Sequence, residues 1–239
     1  MKIHTGWLRW IHKWIGLLIG LQLLLWTLSG TMMALLDMEK VAGGPRAEAP
    51  QVLIGTADAW PAIRRQLGAE PVLGLSVRPL LDRPIYELNT PKGIRLFDAR
   101  TGRPIVIDAV AARKVAEAGY AGRGQVQRIT LLDRLPLAVR EHQLPIWQVD
   151  FADDNNSSFY VSASTGALLE RRNDTWRLWD FFWMLHNMDY ANRTSFNHPL
   201  IIVLGFTAVW LAITGFYLLF RTGWRSDFKH KRLRPPPAS

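Results

Sequence analysis

The stretch HKWIGLLIGLQLLLWTLSGTMMALLD, residues 12–37, decides how the rest of the chain is organised. It carries no charged side chain from Trp14 to Leu36, a run that spans roughly 34 Å at about 1.5 Å per helical residue. That length crosses the hydrocarbon of a bilayer. The run is longer than the apolar part of a signal peptide and lacks a small-residue cleavage site at its end. The sequence therefore predicts an uncleaved membrane-spanning helix over residues 14–36.

A second charge-free run, residues 199–220, predicts a second spanning helix. Most of the net charge of +9 lies in residues 1–13 and 221–239. Basic residues at both ends of a two-span chain indicate cytoplasmic termini, because positive charge is retained on that side. We therefore expect an inner-membrane protein whose central region is periplasmic. Because the excess of positive charge lies at the termini and the central region is nearly neutral, the sequence also argues against a nucleic-acid partner.

The composition excludes several classes of function. The chain contains no cysteine, which rules out disulfides and covalent haem attachment through a CxxCH motif. It also lacks the motifs of serine hydrolases, HExxH metalloproteases, phosphate loops and dinucleotide-binding folds. The remaining chemistry that its histidines could support is noncovalent haem binding, which needs imidazoles between helices and apolar or aromatic walls.

The central region contains an internal repeat. After a linker over residues 37–51, units 52–107 and 108–173 each begin with a helical pattern and continue into strands. Pro84-Ile-Tyr-Glu-Leu88 and Ala99-Arg-Thr-Gly102 return as Pro145-Ile-Trp-Gln-Val149 and Ala163-Ser-Thr-Gly166. Each unit is too small to bury a core alone, so we expect the two to pack together as one α+β domain.

Residues 174–190 predict a further helix with an aromatic side. Its spacing favours a helix lying at the outer membrane surface with that side towards the lipid. The aligned side chains are Trp176, Trp179, Trp183, His186 and Tyr190.

Small residues follow a histidine in each predicted span. Gly16 and Gly20 share one helical face with His12, and a similar stripe follows His198. Small residues permit close helix packing in membranes. These glycines can be explained by contact between the two spans or with a second copy. The second stripe consists of Gly205, Ala208, Ala212 and Gly215.

Arg9-Trp-Ile-His12-Lys-Trp-Ile-Gly16-Leu17, Leu185-His186 and Thr214-Gly215 occur in an order that resembles PepSY-associated transmembrane proteins. The two repeats are similar to PepSY units in the external position. The resemblance implies a link to iron uptake and, for some members, cytoplasmic-membrane haem proteins that reduce ferric siderophores. It also implies that His12 and His186 are haem ligands. Many members have four or more spans, whereas this chain has two, which points to a homodimer or a larger complex.

The pairing of ligands follows from the predicted topology. His12 precedes a span on the inner side and His198 precedes one on the outer side, so they cannot bind the same iron. We expect an outer haem b held by His186 and His198, and an inner site at His12 completed by another subunit, by His4 or by nothing. His142 is interpreted as a surface residue.

Two functions fit these expectations. In the first, the chain relays electrons across the membrane through haem b from an unidentified donor to an external acceptor such as a ferric siderophore. Without a flavin or nicotinamide site, such a chain would be a conduit. In the second, the external units bind a peptide, a protease or a respiratory enzyme, and the helices only anchor or assemble the complex.

Overall fold

A computed structural model describes residues 5–46, 59–191, 193, 197 and 199–223. The chain divides into two compact units, one made of residues 1–35 and 181–239 and the other of residues 36–180. The first, called the membrane unit, contains the two long apolar helices. The second, called the external unit after its predicted position, contains the eight strands found among the described residues.

The membrane unit is built on helices α1 (Thr5–Leu35) and α6 (Pro199–Leu218). A π-helical turn, Leu219–Gly223, follows α6. Both helices are long and apolar enough to cross a bilayer, as predicted. Helix α1 begins before the uncharged run, so Arg9, His12 and Lys13 lie on its first turns.

Part of the predicted linker is ordered against the external unit. Asp37 caps the short helix α2 (Met38–Val41) by accepting a hydrogen bond from the Glu39 backbone N–H at 2.9 Å. The Arg171 guanidinium then donates to the carbonyls of Ala42 and Pro45, both at 3.0 Å. Residues 38–46 therefore belong to the folded domain.

The first repeat is a helix followed by a four-stranded antiparallel sheet. Strands neighbour each other in chain order, which makes the sheet a simple meander. Its elements are α3 (Trp60–Leu67), β1 (Gly74–Leu80), β2 (Arg83–Thr90), β3 (Gly93–Asp98) and β4 (Pro104–Ile105).

The second repeat has the same plan. Asp108 caps its helix, as expected, by accepting from the Ala111 backbone N–H at 2.8 Å. The sheet is again antiparallel with its strands in chain order. Its elements are α4 (Ala109–Gly119), β5 (Gln125–Leu131), β6 (Ile146–Ala152), β7 (Ser158–Ser162) and β8 (Leu168–Arg172).

The repeated sequence motifs form the same turn in each sheet. The Ala99 N–H donates to the Pro84 carbonyl, and the Ala163 N–H donates to the Pro145 carbonyl, both at 3.0 Å. Gly102 and Gly166 each have φ of +69°, a backbone conformation that residues with a Cβ adopt only at a cost. The glycine of each motif is therefore required by the turn itself.

The two repeats share their main core. One continuous cluster contains Ile85 and Leu96 from the first sheet, Val115 from α4, and Val149 and Phe159 from the second. Helix α3 covers the opposite face of the first sheet, where it packs on Tyr86, Leu88 and Phe97. The expectation that the two repeats pack together as one α+β domain is confirmed.

Sequence reasoning missed strands β1, β5 and β8. All three lie at an edge of their sheets. Edge strands contribute few buried side chains, as the largely exposed and half-exposed pattern of β5 shows. Their apolar alternation is weak for this reason, which removes the signal that identifies a strand.

One part of the predicted aromatic helix also differs. Helix α5 spans Asp174–Asn187 and ends before Tyr190. Trp176 is only 8% exposed, and its ring lies 4.2 Å from the Arg172 guanidinium. The lipid-facing interpretation is wrong for Trp176, because its ring is buried against Arg172 of the external unit and therefore cannot face the lipid.

Asp150 makes the stability of the external unit depend on pH. Burial alone would raise its pKa, but hydrogen bonds from Gln148, Ser158 and Arg128 outweigh burial and lower the pKa below its usual 3.8. A carboxyl with a depressed folded pKa stabilises the fold above its unfolded pKa and loses that effect as pH falls through the folded value.

We expect Asp150→Asn to destabilise the external unit by about 1–3 kcal/mol near neutral pH, because charged hydrogen bonds are lost. The difference from wild type should shrink as pH falls below 3.8. Thermal melting followed by circular dichroism checks this, with the exposed Asp133→Asn as control. A pH-independent difference would contradict the assignment.

Candidate functional site

His12 is fixed by a threonine of α6. Its Nδ1 atom lies 2.8 Å from the Thr214 hydroxyl, which in turn lies 2.9 Å from the Trp210 carbonyl. A carbonyl can only accept, so the single hydroxyl proton goes to Trp210. Thr214 must then accept from His12, and the imidazole proton lies on Nδ1.

His186 is fixed in the same way by α1. Its Nδ1 atom lies 3.0 Å from the Trp26 backbone carbonyl, which can only accept a hydrogen bond. Ser29 donates to the same carbonyl at 3.0 Å. The Trp26 indole also stacks on the imidazole, with 4.9 Å between ring centroids and 17° between planes. His186 therefore also carries its proton on Nδ1.

In the neutral form of each imidazole, a proton on Nδ1 leaves Nε2 as the nitrogen that can bind a metal. Imidazoles that ligate metals usually donate their other nitrogen to a carbonyl or a similar acceptor, which fixes the tautomer and the ring orientation. Both rings are half-buried among apolar and aromatic side chains. Trp210 lies near His12, with 6.4 Å between ring centroids.

A glycine lies beside each imidazole, but only one of them is required by the contact. A Cβ added at Gly30 would lie 2.9 Å from His186 Cε1, closer than real contacts allow. A Cβ at Gly215 would lie 3.5 Å from His12 Cε1, an ordinary van der Waals contact. Gly30 therefore permits His186 to approach α1, whereas a small side chain at Gly215 would also fit beside His12.

The two histidines lie at different levels along α1. Gly30, which is beside His186, follows His12 by eighteen residues on α1. This separation is about 27 Å along a helix. His12 and His186 are therefore too far apart to bind one metal ion together.

Helix α5 carries His186 on its last turn, and its first half is anchored in the external unit. Asn173 accepts from the Trp176 backbone N–H at 2.8 Å, a helix-capping contact. Asp180 pairs with Arg140 at 3.1 Å, and the side chains are 4% and 18% exposed. These contacts fix the start of the helix that presents His186.

Of the other predicted ligands, His198 and His4 lie outside the described residues. His142 Nε2 lies 3.0 Å from Glu170 Oε1 in the external unit. The part of the chain that the structure describes contains no cluster of three His, Cys, Asp or Glu side chains that could hold a metal ion. A haem requires only one or two imidazoles.

Sequence reasoning missed the groups that hold the histidines. Thr214 was identified only as part of a short motif, and Trp26, Ser29 and Gly30 were not singled out. The available signal was the Ser-Gly pair near the outer end of α1, because small residues often mark close contacts within membranes.

A family profile described as the PepSY-associated TM region matches residues 9–237, nearly the whole chain. The chain belongs to this family. No curated protein and no solved structure matches it. Thr214 and Gly215, which form the Thr-Gly pair of the last helix, are the residues that contact His12 or lie beside it.

We expect the neutral form of both histidines to carry its proton on Nδ1. Thr214→Val removes the acceptor for His12 and should alter its tautomer, whereas Thr214→Ser retains the hydroxyl and should preserve it. Nitrogen-15 chemical shifts of labelled histidine in lipid nanodiscs report the protonated atom.

Thr207→Val is the matched control for this experiment, because the Thr207 hydroxyl also donates to a carbonyl of its own helix, Val203, at 2.7 Å. The two threonine-to-valine substitutions therefore remove the same chemical group from the same helix. If Thr207→Val alters the His12 shifts as strongly as Thr214→Val, the tautomer assignment is wrong.

Proposed function

We propose that this PepSY-family membrane protein binds haem b and relays electrons across the membrane. The observation that carries the proposal is the pair of imidazoles at two depths, each with Nδ1 held by an acceptor and Nε2 left for a metal. A chain that only anchors an external domain has no need for this arrangement at either depth.

The surroundings of each histidine suit a porphyrin. Aromatic rings lie beside both imidazoles. Arg9 lies three residues before His12 on a similar side of α1, and its positive charge would favour the porphyrin carboxylates. His12 would hold the inner haem, and His186, with His198 as its predicted partner, would hold the outer one.

When bound, haem b supplies one-electron chemistry by exchanging its iron between the ferric and ferrous states. The role of the chain's own residues is to orient each Nε2. The Nδ1–H bonds to Thr214 and to the Trp26 carbonyl do this, because a hydrogen bond at one imidazole nitrogen fixes the tautomer and the orientation of the ring.

The direction of transfer follows from the proposed topology. In that topology both termini are cytoplasmic and residues 37–198 are periplasmic, which the excess of basic residues in 1–13 and 221–239 supports. Electrons would enter at the His12 level from a separate donor and leave at the His186 level. The proposed acceptor is a ferric chelate of the siderophore type, which suits a family linked to iron uptake.

We expect purified haem-replete protein to show low-spin b-type absorption. His186→Ala and His198→Ala should each remove the same outer signal, whereas His12→Ala should spare that signal and remove the inner one. Optical and electron paramagnetic resonance spectra measure this, with His142→Ala as the control, since His142 bonds Glu170 in the external unit. Protein purified from cells grown with sufficient haem that shows no haem absorption would favour the anchoring function.

Electron relay is tested in sealed proteoliposomes that contain a ferric chelate and a ferrous indicator. An impermeant reductant added outside should reduce the enclosed iron in wild-type vesicles. His12→Ala and His186→Ala should each lower the initial rate at least tenfold, because each removes the proposed haem ligand at one of the two depths. Equal rates in vesicles with wild-type protein and in vesicles with a variant that combines His12→Ala and His186→Ala would refute the relay.

The orientation is tested in living cells. Reporter fusions after Ser239 should be active only when the reporter works in the cytoplasm, and fusions within residues 59–180 only when it works outside. The opposite pattern would reverse the proposed direction of electron transfer.

A further inference from the structure

Helix α1 carries a buried amide that makes no hydrogen bond. Gln22 lies well inside the uncharged run of residues 14–36. Its Nε2 atom is buried and has no hydrogen-bond partner in the part of the chain that the structure describes. The hydroxyls of Thr27 and Thr207, by contrast, each donate to a carbonyl of their own helix, at 2.9 and 2.7 Å. An amide N–H without an acceptor is costly in hydrocarbon, where no bulk water replaces the partner.

Gln22 lies on the face of α1 that holds His186. Gln22, Trp26 and Ser29 are spaced four and three residues apart, so their side chains share one side of the helix. The Trp26 ring stacks on the His186 imidazole, with 4.9 Å between centroids, and Ser29 Oγ lies 3.3 Å from His186 Nδ1. Side chains four residues apart have about 5–6 Å between their Cβ atoms. Gln22 is therefore a direct neighbour of the residue on which His186 stacks.

The carbonyl at this site is already engaged. The Trp26 carbonyl accepts from the Ser29 hydroxyl and from His186, both at 3.0 Å, which uses the two lone pairs of its oxygen. Polar side chains inside a membrane span are costly, and they mark binding sites or transport pathways. A donor without an acceptor beside a fixed imidazole therefore indicates a group that binds to both.

We propose that Gln22 is a further binding residue of the His186 site, and that its Nε2–H donates to an acceptor oxygen introduced with the haem. This inference rests on the proposed haem-binding function. Two oxygens have the required chemistry, namely a carboxylate oxygen of the porphyrin and a water molecule held beside it. The hydrogen bond forms only in the haem-bound protein, so Gln22 lowers the stability of the haem-free protein and raises its affinity for haem.

The first test measures the stability of haem-free protein in lipid nanodiscs. Gln22→Met keeps the length of the side chain and removes the amide. It should raise the midpoint of thermal unfolding by about 2–4 °C, because an unsatisfied buried polar group is replaced by an apolar one. Thr27→Val is the matched control on α1, since it removes a hydroxyl that is already hydrogen-bonded to the Leu23 carbonyl, and it should not stabilise the protein. A lower midpoint for Gln22→Met would show that the amide has a partner within the chain, and the inference would fail.

The second test measures the affinity for haem b by spectroscopic titration in a His12→Ala background, where only the His186 site is retained. Gln22→Met should weaken binding about tenfold, the effect of losing one hydrogen bond to the ligand. Thr27→Val should leave the affinity unchanged. Equal affinities for Gln22→Met and for the His12→Ala parent would overturn the inference.

A haem whose two carboxylates are methyl esters identifies the acceptor. If a carboxylate accepts from Gln22, the tenfold loss caused by Gln22→Met should shrink with the ester, because the two changes remove the same interaction. If a water molecule accepts, the loss should be the same for both haems. The failures of the two proposals are also distinct. Wild-type protein that binds no haem refutes the proposed function, whereas haem binding that Gln22→Met does not weaken refutes only the role of Gln22.

Discussion

The structure of the membrane unit depends on one constraint, namely that a polar atom within hydrocarbon needs a hydrogen-bond partner. Hydroxyls in the spans meet it by donating to carbonyls of their own helix, as Thr27, Thr207 and Thr214 do. A hydroxyl that donates in this way can still accept a hydrogen bond. The Thr214 hydroxyl accepts from the His12 imidazole, and the Trp26 backbone carbonyl accepts from the His186 imidazole. The requirement for pairing thus becomes a means of orienting histidines.

The external unit has a rigid frame of its own. Its sheets pack on a shared core, and its ordered entry segment is tied to Arg171. The same unit anchors the first half of α5 through the buried pair of Asp180 and Arg140. A histidine at the end of an anchored helix loses less conformational freedom when it binds a ligand than one on a mobile loop.

Most of the fold could be predicted from the sequence because its signals are strong and local. The two apolar runs, the Asp108 cap and the repeated turn motifs each have a direct physical meaning. Edge strands and the burial of Trp176 could not be predicted, because they depend on partners distant in sequence. For the site, the histidines were identifiable as residue types, but the tautomers depend on Thr214 and Trp26, which only the packing of the helices brings close.

The shared core of the two repeats bears on how the domain stays assembled. Phe159 and Val149 from one repeat fill space beside Ile85 and Leu96 from the other. A single repeat alone would expose this apolar surface, and its folded state would need a second molecule on the same face. Because both repeats belong to one chain, their association is intramolecular and does not depend on the protein concentration.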